Sequence, residues 1–274
     1  MRGQLSDALA CWRAAGDAAV VVTVAAAQGS APRDAGAVLI VSAREALGTI
    51  GGGRLEWDAI AAARAMIMEG GNERSLDVAL GPSIGQCCGG HVTLRLKRAD
   101  ERECAALADA ERAMALRRPS VLLFGAGHVG RALALALEPL PLRLIWIDDR
   151  AQEFTKAGDL RAEKIIGNEA LHQVAGAAPQ AAYVVLTHNH ALDSLIAAAV
   201  LERGDFAYLG IIGSRTKRAV FESAFREAGL LEAGIQRITC PIGGSQLRDK
   251  RPEVIAALAA AEIMLAVSKP DAAA

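Results

Sequence analysis

Val121-Leu-Leu-Phe-Gly125-Ala-Gly-His-Val-Gly130 is the stretch that decides the fold. Four apolar residues run straight into a G-x-G-x-x-G, and an apolar-rich helix pattern follows through Leu137. Strand, glycine turn and helix in that order are the context a dinucleotide-binding fingerprint requires. Gly125 permits the tight turn, Gly127 lets backbone approach a phosphate, and Gly130 lets helix and strand pack closely. Asp148 lies about 20 residues further on, after the next apolar run, Leu142 to Ile147, where a ribose-binding acid belongs. Lys164 to Ile166, Ala181 to Leu186 and Phe206 to Ile212 continue the series, the last two each followed by a helical stretch. Apolar strands alternating with helices predict a parallel sheet covered on both faces, a Rossmann-like domain over residues 119–274. An alternative assigns the glycines to packing alone, with no dinucleotide bound, because fold does not fix ligand.

Upstream the pattern differs. Leu5 to Ala15 has helical spacing, and Ala18 to Ala27 and Ala37 to Ser42 read as strands. Arg54 to Glu69 reads as a helix and Asp77 to Leu80 as a strand. His91 to Lys97 alternates Val92, Leu94 and Leu96 with Thr93, Arg95 and Lys97, the mark of a half-exposed strand. A charged amphipathic helix, Asp100 to Leu116, ends at Arg117-Arg-Pro119, read as a linker. Residues 1–116 are therefore expected to form a separate N-terminal α/β domain. The one low-complexity tract is an Ala-rich tail.

Composition bounds the function. Hydrophobic residues make up 52% of the 274-residue chain, which excludes a disordered chain. Aromatics are only 4%, so alanine and branched aliphatics must fill the core. A formal net charge of -1 argues against a general nucleic-acid binder. Met1 to Trp12 lacks the apolar segment of a signal peptide, and Ala18 to Ala27 is too short to span a bilayer. The five cysteines have no scaffold spacing, so free thiols in the cytoplasm are expected.

In a parallel sheet of this kind, ligands sit beyond the carboxyl ends of the strands. Those ends carry Gly125 to Gly130, Asp148-Asp149, His188 and His190, and Gly213-Ser214-Arg215. Ser214 is placed to cap the helix that follows. Arg215, Lys217 and Arg218 crowd that helix start, where the dipole disfavours cations. A bound anion would resolve the conflict, and a solvated basic face is the alternative. His188, His190 and Asp193 have metal-ligand chemistry, although Asp193 also suits a helix start. Cys87-Cys88 stand between Gly85 and Gly89-Gly90. Adjacent thiols in a glycine-rich loop point to chemistry on sulfur or a soft metal, against a passive structural role. Cys11 and Cys240 read as structural.

Six segments together resemble the XdhC family of xanthine dehydrogenase accessory proteins. They are Gln28-Gly-Ser-Ala-Pro-Arg33, Gly48-Thr-Ile-Gly-Gly-Gly-Arg-Leu-Glu56, Gly85-Gln-Cys-Cys-Gly-Gly90, Phe124-Gly-Ala-Gly-His-Val-Gly130, Thr187-His-Asn-His-Ala-Leu-Asp193 and Leu209-Gly-Ile-Ile-Gly-Ser-Arg-Thr-Lys-Arg218. The resemblance implies binding of the molybdopterin form of the molybdenum cofactor, support of its sulfuration, its protection and its insertion into the apo-dehydrogenase. It implies two partners, a cysteine desulfurase and the molybdenum subunit of xanthine dehydrogenase, and is compatible with a homo-oligomer. Cys87 and Cys88 would face the molybdenum, with Arg33, Gly51, Gly52, Gly53, Gly125, Gly127, Gly130, Asp148, Ser214 and Arg215 around the rest of the cofactor. Cys240-Pro-Ile-Gly followed by Gly244-Ser-Gln-Leu-Arg-Asp249 matches the family only loosely.

Two other functions compete. An NAD(P)-dependent oxidoreductase with His128 or His190 in acid/base work explains the fingerprint but leaves Cys87-Cys88 and Gly51 to Gly53 unused. A metal-dependent hydrolase would use His188, His190 and Asp193.

Overall fold

The computed structural model describes residues 4–81, 89–244 and 249–268. Two units separate at the linker, Met1–Leu116 and Arg117–Ala274. The first contains α1 (Leu5–Ala14), β1 (Ala19–Gln28), β2 (Val38–Ser42), β3 (Ala46–Gly48), α2 (Gly53–Glu69), β4 (Glu73–Ala79), β5 (His91–Arg98) and α3 (Glu101–Leu116). Its five strands form an antiparallel sheet in the order β3-β2-β1-β5-β4. Successive strand residues face opposite ways, so β1 serves two cores at once. Val20, Val22 and Val24 pack with Leu55, Ala59, Ala63 and Met66 of α2. Val21 packs on the other face with Leu9 of α1 and Leu107 of α3. A bulge between Val24 and Ala26 interrupts the pairing of β1 with β5 and re-aims the end of β1. The short strand β3 carries no sequence pattern of its own and forms as the return of a hairpin from β2.

The second unit contains β6 (Ser120–Phe124), α4 (His128–Leu137), β7 (Arg143–Asp148), α5 (Ala151–Thr155), β8 (Glu163–Ile166), α6 (Ala170–Gly176) and β9 (Ala182–Val185). It continues with α7 (His190–Arg203), β10 (Tyr208–Ile211), α8 (Arg215–Glu227), α9 (Glu232–Ile235), β11 (Ile238–Thr239) and α10 (Pro252–Val267). The six strands are all parallel, in the order β11-β10-β9-β6-β7-β8. This is the doubly wound dinucleotide-fold order, with the chain reversing direction of travel between β6 and β9. Leu122 and Phe124 pack toward α6, α7 and α8, while Val121 and Leu123 pack toward α4 and α10. The fully buried fingerprint strand lies in the middle of the sheet.

Helix α10 falls in a region for which the sequence pattern predicted no element. Ala256, Ala259, Ala260 and Ile263 are buried, and the small side chains let α10 lie close along α4. None of the described helices is long and apolar enough to cross a membrane.

Candidate functional site

The fingerprint turn is built from backbone that tolerates no side chain at two of its three glycines. Gly125 has φ +114°, and a Cβ there would run into the Leu186 carbonyl. A Cβ on Gly130 would strike the Gly125 carbonyl, so helix and strand meet only because that atom is missing. Gly127 differs: it has an extended backbone, and nothing lies within 4 Å of where its Cβ would be. Three side chains hold the turn. Trp146 donates its indole N–H to the Gly125 carbonyl at 3.0 Å. The Ala126 N–H donates to Asp148 at 2.5 Å, and Arg131 donates to the Ala126 carbonyl at 2.9 Å. Arg131 is itself fixed by Glu153 at 2.6 Å. Helix α4 starts at Gly127 without a side-chain cap, so its first amides remain aimed at the open space over Gly127.

Asp148, at the position read as a ribose acid, is hydrogen-bonded within the protein. One carboxylate oxygen accepts the Arg150 N–H and Nε, the other accepts Arg150 Nη2 and the Ala126 N–H. Its side chain is 2% exposed. Burial alone would raise its pKa, but the Arg150 and backbone hydrogen bonds outweigh this and lower it to about 2. Every lone pair that a ribose would need is engaged. The adjacent Asp149 is 41% exposed on its side chain and lines a cavity of about 310 Å³. Phe124, Ile147, Leu192 and Ile196 give that cavity apolar walls, and Asn168, His188 and Asn189 add polar groups. It opens at the carboxyl ends of β6, β7, β8 and β9, and Gly125 belongs both to it and to the fingerprint turn.

The next strand ends hold a polar network that sequence spacing did not reveal. Asp193, fully buried on α7, accepts from the Thr187 N–H at 3.0 Å and hydroxyl at 2.7 Å, and from the Lys217 ammonium at 3.0 Å. Lys217 also reaches the Ile212 carbonyl at 3.1 Å and His190 Nδ1 at 2.9 Å. An ammonium only donates, so His190 Nδ1 accepts and the ring proton sits on Nε2. The anion that answers the cationic start of α8 is thus in large part Asp193, from within the protein, and Arg218 is paired with Glu222 at 2.7 Å. Ser214 caps α8 by accepting the Lys217 N–H at 3.2 Å, and Arg215 is the first residue of that helix. Asp193 is committed to Lys217, and among the described residues no group of three His, Cys, Asp or Glu side chains is placed to hold a metal ion. Asn189, between the two histidines, caps α7 by accepting from Ala191 and Leu192. Cys240 is buried beside Gly213, and burial pushes its thiol pKa up, which suits packing. Cys11 is exposed on α1, not packed.

In the first unit, three of the glycine-rich segments meet. A Cβ on Gly90 would clash with the Ser30 carbonyl and approach the Gln28 carbonyl to 2.7 Å. Gly29 lies against Gly90 across the same contact. A Cβ on Gly51 would clash with Pro32 and come within 3.7 Å of Arg33 Cγ. Gly89 and Gly90 pair with Leu80 through two 2.7 Å backbone hydrogen bonds. Cys87 and Cys88 themselves lie outside the described residues. Arg33 is exposed next to Gly51. The turn Gly51 to Gly53 is less open than its composition promises. Glu56 accepts from the Thr49 hydroxyl at 2.6 Å, the Ile50 N–H at 3.0 Å and the Gly52 N–H at 3.2 Å. The Gly51 N–H is taken by Thr49 at 3.1 Å. The acid one turn into α2 was the sequence signal for this self-capping.

Comparison with known proteins gives these sites a context. Residues 121–263 match the family model described as the XdhC Rossmann domain, and residues 12–78 match the XdhC and CoxI family. The chain is 25% identical over 250 residues to the uncharacterized protein YqeB of Escherichia coli K12, covering 86% of this chain but 41% of that relative's length. It shares its fold, with a TM-score of 0.77 and 17% identity, with a Bacillus halodurans crystal structure described as a xanthine dehydrogenase, over 98% of this chain and 97% of that one.

Proposed function

Since the chain belongs to the XdhC family, we propose that it is an accessory protein of a xanthine dehydrogenase-type enzyme. Its cargo is the molybdenum cofactor in its molybdopterin form, which it takes up, helps to convert to the sulfido form, shields and passes on. The molybdenum subunit of the dehydrogenase receives the cargo, and a cysteine desulfurase supplies the sulfur. The observation that carries this reading is the meeting of Gln28 to Arg33, Gly51 and Gly89-Gly90 in one place, directly after Cys88 in the chain.

The chemistry of that cluster fits such a cargo. Thiolates of Cys87 and Cys88 match a soft, sulfur-ligated metal centre. Glycine at 90 and 51 lets these segments pack directly against Ser30 and Pro32, which brings Arg33 and the residue following Cys88 to the same cluster. Exposed Arg33 supplies positive charge for a terminal phosphate. The Ile50, Gly51 and Gly52 amides are already engaged, so Arg33 carries the anion contact more than the glycine turn does.

The test is a double Cys87→Ser, Cys88→Ser variant of the full chain, checked for wild-type melting and then loaded with isolated cofactor. Activation of the apo-dehydrogenase should fall roughly tenfold or more. Wild-type loading with wild-type activation would overturn the reading.

A further inference from the structure

We propose that Trp57 is the platform on which the flat pterin ring of the cargo stacks, with Arg33 taking the phosphate at the other end. This deepens the accessory reading and rests on it, because it names the ring-binding residue beside the same glycine cluster.

Trp57 differs from the other two tryptophans of the chain in its surroundings. Trp146 is fully buried and Trp12 packs against the core beneath α1, whereas Trp57 is 76% exposed. Leu55, Ala59 and Ala63 mark the buried face of α2, and at roughly 100° per residue position 57 points away from it. Folding gains little from an indole placed there, and a large flat ring is left open to a guest.

The position of Trp57 on the helix joins it to the glycine cluster. It lies four residues after Gly53, so about 6 Å of rise separates the two on one helix face. Helical side chains lean toward the N-terminus, which carries the indole over Gly53. Gly53 has no side chain to fill that space, and nothing lies within 4 Å of where a Cβ on Gly52 would be. The adjoining Gly51 packs on Pro32 and Arg33. Arg33 is exposed and makes no ion pair among the described residues, whereas Arg54 is tied to Asp58 at 2.8 Å. The start of α2 therefore sets an aromatic face, bare backbone and an uncommitted cation side by side.

Those three features suit a flat heteroaromatic ring with an anionic tail. A pterin stacks on indole through its π-face. Glycine backbone lets the ring approach closely, and a guanidinium matches phosphate in charge and in planar geometry.

The experiment titrates the full chain with isolated molybdenum cofactor and follows tryptophan emission. Binding should quench the emission of Trp57. Trp57→Phe keeps a ring but lacks that emission, so it should bind within about threefold of wild type and lose the quench. Trp57→Ala should weaken binding roughly tenfold with an unchanged melting temperature. Arg33→Ala should weaken it further, and the two losses should multiply, because they act at opposite ends of the guest. Wild-type affinity in Trp57→Ala, or unchanged Trp57 emission at saturation, overturns this inference and leaves the accessory reading standing. Wild-type affinity with failed dehydrogenase activation in Trp57→Ala also overturns it, and makes the indole a contact to the receiving protein. Failure of the wild-type chain to bind the cofactor overturns the accessory reading and this inference together.

Discussion

Two glycine turns lead into helices in this protein, and they are built for opposite ends. At α2 the turn Gly51 to Gly53 is closed by its own helix, because Glu56 reaches back and collects the Ile50 and Gly52 amides. At α4 the turn Gly125 to Gly127 is braced from behind by Trp146, Asp148 and Arg131, which leaves the helix start uncovered. Glycine content is the same in kind at both. What separates a self-satisfied turn from a receptive one is where the nearest carboxylate sits: inside the helix at α2, beneath the turn at α4.

Five substitutions would break or sharpen this contrast. The largest effect belongs to Gly130→Ala or Gly125→Ala, where a methyl group meets backbone carbonyls that cannot retreat. Each should cost about 3 kcal/mol or more, read as a fall in the denaturant midpoint of the second unit. Next is Asp148→Asn. The wild-type carboxyl has its pKa lowered from 3.8 to about 2. A depressed folded pKa means that the associated stability, about 2 kcal/mol, is present above pH 4 and is lost as the pH falls toward 2. The Asn variant should be less stable at pH 7 and flatter across that acid window, and parallel acid unfolding curves would contradict the bracing role. Glu56→Ala should cost about 1 kcal/mol, read as a fall in the denaturant midpoint of the first unit. The smallest effect on stability is expected from Gly127→Ala, within about 0.5 kcal/mol, since its backbone is extended and its surroundings open. The same variant should lose anion affinity, and a large stability loss there would mean that the space over Gly127 is not vacant.

Much of the fold was legible because local signals agreed with each other. The apolar run Val121 to Phe124, the fingerprint and the later strand–helix alternation all point to one parallel sheet, and β6 lies at its centre. The alternation of Val92, Leu94 and Leu96 is reproduced as buried positions on β5. Helix α10 escaped because its alanines bury without an apolar stripe, although Pro252 and Glu253 in the first turn were readable start signals. The site was harder to read, because its decisive features are pairings across the chain. Asp193 and Lys217 are 24 residues apart in sequence, and no spacing rule joins them. Asp148 occupied the position of a ribose acid, yet whether its oxygens are free depends on how Arg150 folds back, which composition does not record.

The packing of α10 along α4 has a consequence for how the protein is made. The strand, turn and helix of the fingerprint leave the ribosome roughly a hundred residues before the helix that covers α4. At ordinary elongation rates that is a delay on the order of ten seconds. Throughout it Leu133, Ala134 and Leu137 lack their cover from Ala256, Ala259 and Ile263. A nascent chain in that interval presents a greasy helix to whatever is near, so trigger-factor-like holdases should engage it there, and translation stalled before Pro252 should release an aggregation-prone product.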